Sequence, residues 1–100
     1  MAQINWSITA ARDLEQIEAY VAQDSELYAS KLTASIIATV EKLEEFPMLG
    51  RLVPEFQRED LRELVHQSYR IVYLCEEDAV TILRVIHGAR DLPSTLVGIS

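Results

Sequence analysis

Apolar residues in the first half of the chain recur every three to four positions, which is the period of an α-helix. The first stretch begins after Thr9, a plausible N-cap, and extends to about Gln23. Its apolar stripe consists of Ala10, Leu14, Ile17 and Val21. Polar residues fill the remaining positions, so we predict an amphipathic first helix.

A second helix is predicted to follow, because Ser25 can cap it and an apolar stripe of the same period begins beyond. Phe46-Pro47 ends this helix, since proline disfavours helical geometry in the residue before it. Two helices joined by so short a connection form an antiparallel hairpin. The stripe of the second helix is Ala29, Leu32, Ile36, Val40 and Leu43.

The second half of the chain is typical of β-strands. Three stretches rich in Val, Ile, Leu and Tyr, at residues 61–66, 69–75 and 79–87, are separated by short polar breaks. Residues 3–6 form a further short strand candidate, residues 48–60 a loop, and the tail from residue 91 no clear element. The predicted order is β-α-α-β-β-β, an α+β fold with a helical hairpin on one face of a small, mainly antiparallel sheet.

Both faces of this sheet are predicted to be apolar. In the last strand, Val80, Ile82 and Ile86 point to one side, and Leu83 and Val85 to the other. One helical hairpin covers only one face. Either the strands curl to bury the second face, or another polypeptide covers it.

Length and composition limit the possible classes of protein. One hundred residues, 49% hydrophobic and 25% charged, predict a single globular domain over residues 1–100. No apolar run reaches the roughly 20 residues of a membrane span, and the N-terminus lacks a signal-peptide pattern. The single cysteine, Cys75, excludes an internal disulfide and fits a cytoplasmic location.

The charge is acidic overall, with a formal net value of −7. All basic residues of the second half are arginines, and Arg70 and Arg84 lie inside apolar runs. Arginine is preferred for recognising carboxylates and phosphates and for buried ion pairs. The net negative charge of the protein nevertheless repels nucleic acid at long range, so a general nucleic-acid binder is excluded.

The order and spacing of several motifs resemble the RelE/ParE superfamily of bacterial toxins, and its ParE branch (plasmid stabilisation) in particular. The resemblance covers residues 3–92. The motifs are Ala11-Arg12-Asp13-Leu14, Phe46-Pro47-Met48-Leu49-Gly50-Arg51, Leu61-Arg62-Glu63-Leu64, Tyr69-Arg70-Ile71-Val72-Tyr73 and the stretch from Ile82 to Asp91.

The resemblance implies the toxin component of a type II toxin–antitoxin system. An antitoxin segment that is disordered when free would then wrap the helical hairpin and the sheet, in a hetero-oligomeric complex. On this basis we predict antitoxin contacts at Leu14, Ile17, Val21, Leu32, Ile36, Arg62, Val72 and Leu74.

Two activities divide this superfamily, since RelE-like members cleave messenger RNA on the ribosome and ParE-like members inhibit DNA gyrase. Arg70 and Arg90 match the phosphate-binding positions of the nucleases. Other positions depart from the nuclease pattern: Leu61 and Glu63 replace a lysine pair, and Leu96 replaces a catalytic tyrosine. A nuclease would therefore depend on Arg70, Arg90, His66 and His87, the histidines being the remaining groups suited to proton transfer.

The sequence thus favours a gyrase-binding toxin that is not an enzyme, with a ribosome-dependent nuclease or an inactive antitoxin-binding relative as alternatives. We predict neither a cofactor nor a metal, because the histidines have no further ligands at suitable spacing. For the arginines, salt bridges to Glu63, Glu76, Glu77 or Asp91 are the structural alternative. The predicted target-binding residues are Arg70, Arg84, Arg90, Leu92 and Leu96.

Overall fold

In the computed structural model, which describes residues 1–88, two helices lie against one face of a five-stranded sheet. This confirms the predicted α+β architecture. The elements are β1 (Gln3–Trp6), α1 (Ile8–Ala22), α2 (Glu26–Glu41), a 3-10 turn (Lys42–Glu44), β2 (Arg51–Leu52), β3 (Leu61–His66), β4 (Tyr69–Cys75) and β5 (Ala79–His87).

The helices begin at serine caps. Ser25 Oγ accepts a hydrogen bond from the backbone N–H of Tyr28, so the predicted cap of α2 is confirmed. The cap of α1 is Ser7, not Thr9, and its Oγ accepts from the N–H of Ala10. Ser7 is fixed there because its N–H also donates to the carbonyl of Ile82 in β5.

The strand order in the sheet is β1-β5-β4-β3-β2. β1 runs parallel to β5, and the remaining neighbours are antiparallel. The bounds predicted for β3, β4 and β5 are those observed. β2 was missed: the sequence predicted a loop there, and two residues are too few to show an alternating pattern.

Two apolar cores lie on opposite faces of the sheet. The first, between sheet and helices, includes Ile36, Tyr73 and Val85. The second, on the far face, is formed by Val53, Leu61, Val72, Leu83 and Ile86, with Phe56 and Leu74 packed against it.

The predicted side-chain alternation in β5 is wrong beyond Ile82. The register with β4 shifts between Val72 and Tyr73, so one extra residue enters β5. Val85 therefore joins Val80 and Ile82 in the first core, and Ile86 joins Leu83 in the second.

The far face is buried by part of its own chain. Val53 and Phe56, from the loop between β2 and β3, pack against it, and Val72 and Leu83 are buried there. Neither curling of the strands nor a separate polypeptide is needed to explain this burial. Within residues 1–88, no helix is both long and apolar enough to cross a lipid bilayer.

Candidate functional site

The most unusual group of charges lies on the far face of the sheet, around a buried glutamate. The side chain of Glu63 in β3 is 0% exposed. Its two oxygens bind different arginines: Oε1 accepts from Nε and Nη2 of Arg70, at 2.8 and 2.5 Å. Oε2 accepts from Nε and Nη2 of Arg51, at 2.7 and 2.6 Å. A buried carboxylate is tolerated here because both oxygens are paired.

Arg70 has a second carboxylate on its outer edge. Glu55, in the loop between β2 and β3, accepts from Nη1 and Nη2 of Arg70 at 2.9 and 2.7 Å. The hydrogen bonds to Glu55 and Glu63 raise the pKa of Arg70 against the opposing effect of burial. The guanidinium is thus held on two sides, in agreement with the predicted structural alternative of a salt bridge to Glu63.

An open cavity of about 430 Å³ lies over this arginine. Pro54 and Gly88 form part of its wall, and Val65 contributes an exposed apolar side chain. The cavity is lined by Arg51, Pro54, Glu55, Val65, Arg70 and Gly88. Its chemistry is therefore two guanidinium groups and one carboxylate, that of Glu55, beside a small apolar surface.

His66 does not face this cavity. Its Nε2 lies 2.9 Å from Ser35 Oγ and its Nδ1 lies 3.2 Å from Thr39 Oγ1, both on α2. Both ring nitrogens are thus engaged by the helix that covers the near face of the sheet. This is a structural role for His66.

His87 also lies on the helical side. It is directly opposite Tyr69, which is itself opposite His66, so all three side chains share a face. The rings of Tyr69 and His87 make an edge-on contact, with centroids 5.9 Å apart. Arg70 is paired with Ile86 of the second core and points the other way. The structure does not bring Arg70 together with either histidine.

Arg84 forms the predicted ion pair, but with a partner that the sequence did not suggest. Its Nε donates to Asp13 Oδ2 of α1 at 2.7 Å, and the N–H of Val85 donates to the same oxygen at 2.9 Å. Asp13 therefore ties α1 to β5. The predicted target residues Arg90, Leu92 and Leu96 lie outside the described residues.

Three of the predicted antitoxin contacts need correction. Leu32 and Ile36 are buried beneath α2 in the first core, and Val72 is buried in the second. These side chains pack the domain itself and offer no surface to a partner. The other predicted contacts, which keep partial exposure and remain predictions, are Leu14, Ile17, Val21, Arg62 and Leu74.

Sequence reasoning missed two contributors to these sites, Glu55 and Asp13. Glu55 lies in a loop with no periodic pattern, and its partner is 15 residues away in sequence. Asp13 is one of several acidic residues on α1, and only the packing of α1 on β5 distinguishes it. No signal in a single sequence identified either residue.

Cys75 is expected to react slowly with alkylating reagents. The thiol is partly buried, and Sγ donates to the carbonyl of Pro47 at 3.2 Å. Desolvation raises the pKa of Cys75, so little thiolate forms at pH 8. We expect iodoacetamide to modify the native protein at least about tenfold more slowly than the urea-unfolded chain. Equal rates would contradict this account.

Among residues 1–88 there is no cluster of three or more His, Cys, Asp or Glu side chains arranged to hold a metal ion.

Comparison with known proteins gives a consistent result. Residues 4–92 match the family described as "ParE toxin of type II toxin-antitoxin system, parDE". "Toxin RelE2" of Caulobacter vibrioides is 36% identical over 91 residues, which are 90% of this chain and 99% of that protein. "Putative toxin Y4kP" of Sinorhizobium fredii is 34% identical over 96 residues, covering 94% of this chain and 96% of that protein.

Solved structures show the same fold. A chain from "Chromosomal ParDE TA system from P. aeruginosa" superposes with a TM-score of 0.72 at 23% identity, covering 87% of this chain and 96% of that one. A chain from the toxin–antitoxin complex RelBE2 of Mycobacterium tuberculosis gives a TM-score of 0.65 at 22% identity, covering 86% and 96%.

Proposed function

The chain belongs to the ParE toxin family of type II toxin–antitoxin systems, and from this membership we propose that it arrests growth by binding and poisoning DNA gyrase. It acts in the cytoplasm, where gyrase and the chromosome are found. In this proposal the protein is not an enzyme, and its effect depends on the surface it presents to gyrase.

The observation that carries this proposal is the state of Arg70. A nuclease would need a cation free to hold a phosphate as charge develops, together with a group that transfers a proton. Arg70 is instead bound to Glu63 and Glu55, which also bring negative charge to the place where a phosphate would sit. The histidines lie on the opposite face of the sheet. This arrangement supports a protein-binding toxin.

A ribosome-dependent messenger RNA nuclease remains the second candidate. The observation in its favour is the 36% identity with a protein named Toxin RelE2. The third possibility is a relative that has lost toxicity and only binds its antitoxin.

The partner in the cell is an antitoxin. The two structural neighbours come from toxin–antitoxin systems, which supports such a partner for this chain. We propose that it is encoded beside the toxin gene and that an extended segment of it wraps the domain. Leu14, Ile17 and Val21 on α1, with Arg62 and Leu74 on the sheet, are the proposed contacts.

Induction of the toxin in growing cells tests the proposal. We expect filamentous cells with an induced DNA-damage response, and purified toxin is expected to stabilise cleaved complexes of gyrase with DNA. A chain ending after Arg90 is expected to lose this activity, because Leu92 and Leu96 are proposed target contacts. Its thermal unfolding serves as the control for folding.

The alternatives give different results in the same cells. Rapid loss of translation, with transcripts cut at the ribosomal A site, would replace the gyrase proposal with the nuclease. Strong expression without any growth defect would favour the inactive relative.

A further inference from the structure

The last strand, β5, extends beyond its neighbour β1. β1 pairs with β5 only from Ala79 to Ile82, whereas β5 continues to His87 and pairs there with β4 on its other edge. Within residues 1–88, no strand lies beside this last part of β5 on the β1 side. The backbone groups that point to that side therefore need other partners.

Side chains of α1 and of its cap supply these partners. Ser7 Oγ donates to the carbonyl of Leu83 at 3.2 Å, directly after the last pair between β1 and β5. Farther along β5, the N–H of Val85 donates to Asp13 Oδ2 at 2.9 Å. The two side chains thus occupy the place that a longer β1 would take. Of the two, Asp13 lies nearer the end of the strand.

The carboxylate of Asp13 also holds the side chain of Arg84. Its Oδ2 accepts from Nε at 2.7 Å, and its Oδ1 accepts from Nη2 at 3.2 Å. The side chains of Arg84 and Asp13 are only 20% and 11% exposed. Partly buried charges are screened less by salt than surface charges, so this ion pair restrains both α1 and β5. Three donors of two neighbouring residues, Arg84 and Val85, therefore meet on one carboxylate.

These contacts follow directly on the bulge in β5. The pairing with β4 leaves Leu83 as the extra residue, between Ile82 and Arg84. A bulge bends its strand and increases the local twist, so the residues before it do not determine the course of those after it. Beyond the bulge, β4 holds one edge of β5 and Asp13 holds the other. The direction in which β5 ends therefore depends on Asp13.

The end of β5 leads to the proposed target contacts. Leu92 and Leu96 follow Gly88 by four and eight residues. Because four residues span at most about 14 Å, the Cα atoms of Gly88 and Leu92 can be no farther apart than that. The place at which Leu92 can meet gyrase is thus limited by the place at which β5 ends.

We propose that Asp13 is a positioning residue for target binding: it fixes the last part of β5, and hence the place from which residues 89–100 leave the domain. The inference rests on the proposed gyrase target. It adds a residue of α1 that acts through β5 and does not itself touch gyrase. The bond from the N–H of Val85 carries this role, because it restrains the backbone, whereas the ion pair restrains a side chain.

The first measurement uses the full-length toxin with purified gyrase and DNA. Asp13→Ala removes both contacts of the carboxylate, and we expect about tenfold more toxin to be needed for half-maximal DNA cleavage. Asp13→Asn keeps an oxygen for the N–H of Val85 and loses the charge. It is expected to need no more than about threefold more toxin than the wild type.

Ser25→Ala is the control for a general loss of stability. It removes the bond from the N–H of Tyr28 that caps α2 and leaves the contacts of β5 in place. Urea unfolding measures its stability beside that of Asp13→Ala. We expect Ser25→Ala to act on gyrase like the wild-type toxin. If Asp13 mattered only for stability, the two variants would lose activity in step with their free energies of unfolding.

Hydrogen exchange followed by NMR tests the contact without gyrase. The amide of Val85 is expected to exchange slowly in the wild-type toxin and in Asp13→Asn, and at least about tenfold faster in Asp13→Ala. If Asp13→Ala does not fold, Asp13→Glu replaces it. This variant keeps the charge opposite Arg84 but is longer by one methylene group, and we expect the same changes to a smaller extent.

Three results would overturn the inference. The first is an Asp13→Ala or Asp13→Glu toxin as active on gyrase as Ser25→Ala, and the second is an amide of Val85 that stays equally protected in these variants. The third is an Asp13→Asn toxin as weak as Asp13→Ala, which would contradict the role of the backbone contact. A wild-type toxin that stabilises no cleaved complex of gyrase with DNA would instead contradict the proposed target, while the exchange of Val85 still reports on the contact.

Discussion

Arg70→Met is expected to lower the free energy of unfolding by about 3–5 kcal/mol, because it leaves one oxygen of a fully buried carboxylate without a donor. That oxygen, Oε1 of Glu63, accepts only from Arg70 among the described residues. Because whole domains are stable by only about 5–15 kcal/mol, a loss of this size is severe. Urea denaturation followed by circular dichroism measures it.

Arg51→Met provides the control, since it removes the same charge from the other oxygen of Glu63. Arg51 is 62% exposed against 8% for Arg70, so its removal admits water to the carboxylate. We expect a cost of about 1 kcal/mol or less, the size typical of exposed ion pairs. Equal losses in the two variants would show that burial does not set the strength of these pairs.

This expectation affects how toxicity assays are interpreted. A variant of Arg70 can lose toxicity for two reasons: a contact with the target is missing, or the domain is unfolded. Here the second is expected on structural grounds. A variant of Arg70 therefore informs on the target only when its unfolding curve is measured alongside.

Ile36→Ala is the second change with a large expected effect, about 2–5 kcal/mol of lost stability. Ile36 is 0% exposed and packs in the first core, between α2 and the sheet. The sequence had assigned it to the antitoxin interface. If this variant bound the antitoxin more weakly, its lower stability would explain the effect without any direct contact between Ile36 and the antitoxin.

Its neighbour offers a closely matched control. Ile37→Ala makes the same chemical change one residue later in α2, where the side chain is 39% exposed. We expect about 0.5 kcal/mol or less from this change. If the two variants proved equally stable in urea, the assignment of Ile36 to the core would be wrong.

The secondary structure could be predicted largely because its signals are local. The polar breaks at residues 67–68 and 76–78 delimit strands of strong β propensity, and Ser25 lies where a cap is needed. The error at α1 has a tertiary cause. Ser7 is the cap because β1 delivers the chain there, with Ser7 bonded to Ile82 and Leu83 of β5.

The register of side chains in β5 could not be predicted. One extra residue in β5 reverses which of the following side chains point toward the helices. The Val-Ile-Leu pattern of β5 suits either face of the sheet. The position of this bulge depends on how β5 pairs with β4, so the sequence of β5 alone does not predict it.

The candidate site was predictable in its charges but not in its geometry. Glu63 was taken as a departure from the nuclease pattern, and an arginine inside an apolar strand indicated a partner, which the ion pair of Arg70 with Glu63 supplies. The pairing of Glu63 with both Arg70 and Arg51 depends on three strands meeting, and Glu55 reaches the same arginine from a loop. These contacts join residues that are distant in sequence, so they can be identified only in the folded structure.

The parallel pairing of β1 with β5 has a consequence for synthesis on the ribosome. Gln3 pairs with Ala79, which is 76 positions later in the sequence. β1 therefore cannot pair in the sheet until almost all of the described chain has been synthesised. Long-range pairing of this kind is slow and comes late in folding. In a chain still being synthesised, β1 therefore lacks its neighbour in the sheet until β5 has left the exit tunnel of the ribosome.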